Sequence, residues 1–362
     1  MRILHVTPFY EPAWAYGGMA RSSAALCRAL ARRGHEVTVA TARLEPDSPA
    51  EESRDGVRVR RFRGPDLLKA WLVPWAWGLR AFLRTELRSF DLVHLHGHRN
   101  GLAVAASHAL IEARRPWVLT THGTLPSHGQ FPLAKAVFDR LFGDRIVRQA
   151  DVLLALSDSE ARDLPRPARV IPSGVEPCGV APPVPPRPRP RLLFVGTDRP
   201  QKRGHLLPLV LDALPGADLY LVGRFGPRFR QRFTALGERV TAGGVLAGDA
   251  LAAQYASADV VVHPAVGEAF GLVPVEAALA GSAAVVAGGH GCGEWFARAG
   301  GCVVPPDDVD AMVAAIRVRL DDRERAQGEA RSVAEFARQH LTWDKAAAAV
   351  ESVYREVLGA RA

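Results

Sequence analysis

Apolar residues arrive in two alternating rhythms along this chain. The opening run RILHVT is short and continuous, as a strand buried on both faces is. RSSAALCRALARRG then spaces its apolar positions at helical intervals and stops at Gly34, and HEVTVAT returns to the strand rhythm. Together they predict a βαβ unit. GVRVRRF, DLVHLH, PWVLTTH and DVLLALS continue the strand series, with helical stretches between them. Alternation of this kind predicts a parallel, doubly wound sheet.

PCGVAPPVPPRPRPR, residues 177–191, breaks the pattern, because proline at this density suits neither helix nor central strand and makes a stiff linker. The alternation then restarts with RLLFVG, a helix from about His205 to Leu214, ADLYLVG, ADVVVHP, a helix after Phe270, SAAVVAG and GCVVPP. Helices over about 307–320, 327–339 and 343–359 close the chain. The expectation is an α/β protein of two doubly wound, Rossmann-like domains, 1–176 and 192–342, facing each other across a central cleft. Residues 343–362 are expected to return to the first domain.

Length and composition agree with that plan. At 362 residues the chain exceeds the size at which a single core usually stops growing. Nothing forms an uncharged run of the roughly 18 residues needed to span a membrane, and MRILHVTPFY lacks the apolar centre of a signal peptide. Cys27, Cys178, Cys292 and Cys302 show no CxxC spacing, so reduced thiols in a cytoplasmic protein are expected and a zinc site is not. The net charge of +8 is unevenly placed: residues 1–172 hold 25 basic against 17 acidic side chains, and the remainder hold 21 of each. A basic first half fits an anionic ligand or an anionic membrane surface, and equally an arginine-rich composition with no partner at all. No nucleic-acid recognition module accompanies the charge.

Several loops carry candidate chemistry. Gly17 and Gly18 precede the first helix, where backbone can approach a ligand and the helix terminus favours an anion. Neither GxGxxG after the first strand nor GxxxxGK[ST] anywhere is present, which counts against dinucleotide oxidoreductases and P-loop enzymes. RLLFVG runs into a loop bearing Arg199, Lys202 and Arg203, cations well placed to hold a diphosphate. His122 ends an interior strand. Asp308 and Asp310 have the spacing of a metal-binding DxD, but they open a helix and are read as its N-cap and dipole partners. Residues 67–90 mix Trp71, Trp75 and Trp77 with Arg80, Arg84 and Arg88, a pattern open to two readings: an interfacial helix, or a core helix with a solvated arginine edge.

GEAFGLVPVEAALAG, residues 267–281, is the most specific stretch. It places Glu268 and Glu276 eight positions apart, with Glu276 only about 40° from Leu272 on the helical wheel and so beside the stripe of Leu272, Val275 and Leu279. An acid there needs partners to offset its desolvation.

With Gly17 and Gly18, THG at His122, LALSDSE around Ser157, VIPSGVE and FVG…KRG at Lys202, this stretch resembles the retaining GT-B glycosyltransferases of family four over nearly the whole chain. The resemblance implies a metal-independent transferase that uses a nucleoside-diphosphate sugar, UDP- or GDP-linked, as co-substrate. Glu268 would hold the donor sugar, and the backbone of Phe270, Gly271 and Leu272 would meet the sugar and phosphates. Glu276 would bind the ribose. Lys202 would balance the departing diphosphate, Gly17 and Gly18 would cover it, and His122 would approach the sugar from the acceptor side. Relatives carry Arg where this chain has Thr197, so Arg199 or Arg203 must substitute or diphosphate binding is weakened. The acceptor is expected to be a glycan, a glycolipid or a small molecule, and the protein to work in the cytoplasm or at the inner face of the membrane, in cell-surface polysaccharide or glycolipid assembly. The competing expectations are a non-catalytic homologue that binds nucleotide-sugar or stabilises a partner enzyme, and a natural-product glycosyltransferase.

Overall fold

A computed structural model describes residues 1–14, 17–65, 75–124, 131–176 and 187–361. The chain divides into two compact units, Met1–Gly174 with Trp343–Ala362, and Val175–Thr342. Residues 177–186 of the proline-rich segment, and Trp71 with the start of the tryptophan–arginine stretch, lie outside the described residues.

The first unit is built on strands β1 Arg2–Thr7, β2 Glu36–Ala42, β3 Glu51–Arg54, β4 Val57–Phe62, β5 Leu92–His96, β6 Trp117–Thr120, β7 Val152–Ala155 and β8 Ala168–Val170, ordered β3-β4-β2-β1-β5-β6-β7-β8. All pairings are parallel except β3 with β4. That hairpin was not anticipated from the pattern, because EESR is polar, yet its turn has a local cause. Asp55 (φ 50°) and Gly56 (φ 78°) both adopt the left-handed conformation that an Asp-Gly pair favours between strands.

Its helices are α1 Gly18–Arg32, α2 Leu79–Glu86, α3 Gly101–Glu112, α4 Pro132–Phe138, α5 Asp144–Gln149 and α6 Asp158–Arg162, with a π turn over Asp139–Gly143. One face of the sheet is covered by α2, α3 and the side chains of Ile146 and Val147. The other carries α1 and the last helix of the chain, Trp343–Gly359, whose Val350, Val353, Tyr354 and Val357 pack with Ile3, Cys27, Leu30 and Val37. A central strand covered on both faces is buried along its length, and β1 buries Ile3, Leu4, His5, Val6 and Thr7 in succession. Helix α2 buries Leu79, Phe82 and Leu83 and leaves Arg80 and Arg84 exposed, and Arg88 is exposed on the 3-10 turn Leu87–Ser89 that follows. Over Leu79–Glu86 the apolar side is consumed by the core, which is the core-helix reading with a solvated arginine edge; residues 67–74 of the stretch lie outside the described residues.

The second unit holds β9 Arg191–Thr197, β10 Asp218–Arg224, β11 Val240–Gly244, β12 Val260–His263, β13 Ala283–Ala287 and β14 Cys302–Val304 in the order β11-β10-β9-β12-β13-β14, all parallel. Its helices are α7 Leu207–Asp212, α8 Pro227–Gln231, α9 Gly248–Ala256, α10 Leu272–Leu279, α11 Gly291–Arg298, α12 Val309–Asp321 and α13 Arg323–His340, and Trp343–Gly359 is α14. The helix expected from His205 starts later, because two single 3-10 turns at Pro200–Lys202 and Gly204–Leu206 take up the chain between β9 and α7. Asp308 caps α12 by accepting from Ala311 N at 2.9 Å.

Candidate active site

Each parallel sheet presents loops at the C-terminal ends of its strands, where doubly wound folds place ligands. In the second unit, β9 and β12 are neighbours, and the loops that follow them meet. Val266 N donates to Gln201 O at 2.8 Å, which ties one loop to the other. Lys202 Nζ donates to Glu268 Oε1, and His263 Nε2 lies 3.0 Å from Glu268 Oε2. Burial alone would raise the Glu268 carboxyl, but the charges and hydrogen bonds of Lys202 and His263 outweigh it and hold it well below the usual carboxylate range. Glu268 is therefore an anion at neutral pH, clamped from both sides.

Gly271 makes that clamp possible. Its φ of 76° is left-handed, and a Cβ there would strike Cys292 Sγ and come within 2.9 Å of Glu268 Oε2. Phe270 is buried and tilts toward Trp295, with ring centroids 6.3 Å apart. Leu272 begins α10. Burial pushes the Cys292 thiol well above its ordinary range.

The apolar face of α10 differs from the expected one. Pro274, Val275, Ala277 and Ala278 are buried, while Leu272, Glu276 and Leu279 are half-buried. The helix packs both on β12 and β13 and against α13, and two contact sides rotate and widen the stripe. Glu276 accepts a hydrogen bond from Tyr255 Oη at 2.8 Å. Its desolvation is thus met in part inside the protein.

Of the three cations after β9, Lys202 is paired with Glu268 and Arg203 with Asp307 at 2.8 Å, while Arg199 is exposed. Sequence reasoning missed Arg224. It ends β10 in register with Thr197 and is exposed, so a cation stands one strand away from the position where the expected arginine is absent. His263 was missed too, although a histidine closing the buried run of ADVVVHP was a visible signal; Tyr255 gave none. Thr197 Oγ1, Gln201 Oε1 and His263 Nδ1 are buried at this edge of the sheet and have no hydrogen-bond partner among the described residues. Unpaired polar atoms of this kind call for an explanation, and a ligand supplies one.

In the first unit, His122 and Gly123 turn the chain after β6 with φ of 51° and 67°. Glu160 on α6 holds the turn: it accepts from Thr121 Oγ1 at 2.6 Å, from Gly123 N, and from Leu156 N at 2.7 Å. Behind His122 lies a buried histidine string. His122 Nε2 is 2.9 Å from His96 Nδ1, and His96 Nε2 is 2.9 Å from His5 Nδ1. His94 stacks on His96 at 4.3 Å and bonds Tyr354 Oη and Thr120 Oγ1. Burial lowers His122 to about 4 and His5 to about 3, so these imidazoles are neutral at pH near 7. Both ring nitrogens of His94 and of His96 are engaged in hydrogen bonds, which makes the His5, His94 and His96 cluster a hydrogen-bonded string rather than a ready ligand set. Gly17, with φ 98°, sits just ahead of α1, and among the described residues no atom lies within 4 Å of where a Cβ of Gly17 or Gly18 would stand.

The family model for Glycosyltransferase Family 4 matches residues 16–177, and that for Glycosyl transferases group 1 matches residues 189–322. A glycogen synthase of Mycobacterium tuberculosis is 31% identical over 98% of this chain and 94% of its own. The chain belongs to the family 4, group 1 glycosyltransferases. A D-inositol 3-phosphate glycosyltransferase of Kineococcus radiotolerans is 29% identical, covering 99% of this chain and 95% of that one. Among solved structures, sucrose-phosphate synthase from Thermosynechococcus elongatus superposes with a TM-score of 0.80 at 22% identity, over 99% of this chain and all of that one. Anabaena HepE in complex with UDP and glucose gives 0.75 at 19% identity, over 98% of this chain and 100% of that one. These likenesses establish the GT-B fold for this glycosyltransferase.

Proposed function

We propose that this glycosyltransferase moves a sugar from a nucleoside-diphosphate sugar to an acceptor hydroxyl with retention of anomeric configuration and without a metal ion. The observation that carries the reading is the clamp of Glu268 between Lys202 and His263, eight residues ahead of Glu276, beside three buried polar atoms that lack partners. Solved structures of HepE hold UDP and UDP-glucose, which supports a nucleotide-sugar as donor here.

In the reaction the bond from the anomeric carbon to the phosphate oxygen breaks, and its electron pair leaves with the diphosphate. The acceptor oxygen bonds to that carbon, and its proton goes to the departing phosphate oxygen on the same face. Negative charge therefore develops where Lys202 stands, and a fixed ammonium stabilises it more in the transition state than in the ground state. Lys202 exchanges Glu268 for the phosphate when the donor binds, which frees one Glu268 oxygen for a sugar hydroxyl while His263 keeps the other in place. Glu276 accepts from the ribose hydroxyls beside the Tyr255 bond. Arg199 and Arg224 supply further positive charge. Gly17, Gly18 and His122 belong to the first unit and enter this reading through the family resemblance. The basic first half and the relatives that act on phosphorylated acceptors support an anionic acceptor, and we place it in glycolipid or cell-surface polysaccharide assembly.

Thermal shift with UDP-, GDP-, ADP- and TDP-sugars, on the parent protein and on Glu276→Ala in chelator, tests the donor site. Stabilisation by one nucleotide that the variant loses is the expected result. No shift with any donor would favour the second reading, a non-catalytic homologue, for which Thr197 is the specific observation.

A further inference from the structure

Packing alone does not explain the histidine string of the first unit. Strands β1, β5 and β6 are neighbours, and the face they turn to α1 and α14 is apolar at Ile3, Leu92 and Val118. Toward the strands' C-terminal ends the same unit buries His5, His94 and His96, and only His122 is half-buried. Aliphatic side chains would fill that space without the cost of burying polar rings. Burial lowers these rings and keeps them neutral near pH 7, so each carries one N–H and one bare nitrogen. Each nitrogen-to-nitrogen contact needs one proton, so the two contacts that join His122, His96 and His5 are coupled. Two arrangements satisfy both. In one, His122 Nε2 donates to His96 Nδ1 and His96 Nε2 donates to His5 Nδ1, which places an N–H on His5 Nε2. In the other every donor and acceptor is exchanged, and His5 Nε2 is bare. His5 Nε2 is buried and has no hydrogen-bond partner among the described residues. An orphaned buried N–H is rarer in folded proteins than an orphaned acceptor, which favours the second arrangement.

We infer that the string fixes His122 as its Nδ1–H tautomer, so that His122 meets substrate as a hydrogen-bond donor and does not act as a base. His96 Nδ1–H donates to His122 Nε2, and His5 Nδ1–H donates to His96 Nε2; both are positioning residues. His94 stacks on His96 at 4.3 Å and is held at its own two nitrogens by Tyr354 and Thr120, which fixes the plane of the His96 ring. Glu160 fixes the backbone of the His122 turn through Thr121, Gly123 and Leu156. Nε2 is taken by His96, so Nδ1 is the nitrogen that His122 offers to a ligand. With a proton already on it, Nδ1 cannot receive one from an acceptor hydroxyl; it donates to a hydroxyl oxygen of the sugar. The departing phosphate oxygen is then left to take the acceptor's proton, as in the same-face reaction above. The inference deepens that proposed reaction and rests on it only for the oxygen that Nδ1–H meets.

The test is the 15N spectrum of the full-length protein labelled at its histidine ring nitrogens, near neutral pH and without ligand, which separates protonated from bare nitrogens. The His122 signals are those lost in His122→Asn. A protonated Nδ1 and a bare Nε2 are expected on His122. A protonated Nε2, or exchange between the two tautomers, overturns the inference. His96→Asn keeps an amide N–H where Nδ1 stood and is expected to leave the His122 tautomer unchanged, whereas His96→Leu is expected to release it into exchange. An unchanged His122 spectrum in His96→Leu overturns the role of His96, and if that variant does not fold the parent spectrum still decides the tautomer. Titration calorimetry with UDP-glucose and with UDP then reads the sugar contact. His96→Leu is expected to weaken UDP-glucose about tenfold and UDP less than about twofold, and His96→Asn to weaken either less than about twofold. Equal weakening of both ligands is what a general loss of structure gives, and overturns the sugar contact. An Nδ1–H spectrum in a protein that binds no UDP-glucose would count against the donor reading and in favour of the tautomer, so the two failures are distinguishable.

Discussion

Acidification should destabilise the first unit well before ordinary carboxylates begin to titrate. His5, His94 and His96 are at most 1% exposed, and burial lowers all three, His5 from an ordinary 6.5 to about 3. The unfolded chain carries these side chains at about 6.5, so between about pH 6.5 and the folded values it binds protons that the folded chain does not. Stability then rises with pH and is lost as pH falls through this window. At about pH 5 the unfolded His5 side chain is almost fully protonated, which favours unfolding by about 2 kcal/mol, from 1.5 pH units at about 1.36 kcal/mol per unit. His94 and His96, lowered by burial in the same direction, deepen the loss, and about 2 kcal/mol from His5 is already a sizeable share of the roughly 5–15 kcal/mol available to a typical fold. Asp139 and Glu351, held at about 2 in the folded state, add their loss only below about pH 4. Urea unfolding between about pH 8 and about pH 5, read by hydrogen exchange of peptides covering Leu92–His96, isolates this unit. His5→Asn keeps an amide beside His96 and removes one titrating group, so its fall over the same range should be smaller by about 2 kcal/mol. A fall of less than about 1 kcal/mol in the parent protein, or an equal fall in both proteins, would refute the reasoning.

Gly271→Ala forces a side chain into a left-handed backbone and against Cys292, so the melting transition of the second unit should fall by roughly 5–15 °C and the donor-induced shift should vanish; calorimetry with and without the stabilising nucleotide-sugar measures both. Glu160→Gln turns one acceptor oxygen into an NH2 group facing the Leu156 or Gly123 N–H, which should destabilise the first unit by about 2 kcal/mol and loosen the turn bearing His122. Faster exchange of the amides at 121–124 in this variant is the expected signature, and exchange equal to that of the parent would contradict the role given to Glu160.

The sequence by itself determined the alternation of strands and helices, the two doubly wound sheets and the glutamate pair of the 267–281 stretch. Short apolar runs and helical spacing depend on burial along one segment at a time, and the parallel order follows from their alternation. The β3–β4 hairpin escaped because an edge strand is free to be polar, and its Asp-Gly turn was the legible sign. Tertiary structure alone decided how the charged side chains pair. Lys202 and Glu268 are 66 positions apart, Tyr255 reaches Glu276 from another helix, and the histidine string joins β1, β5 and the loop after β6. No local period encodes such partners. The apolar face of residues 131–141 shows the same limit from the other side: its spacing is that of any core helix, and only the packing of Phe138, Phe142 and Ile146 beneath it reveals that Leu133 and Val137 face outward. Which side of a helix is buried depends on what stands next to it, and that is a property of the folded chain.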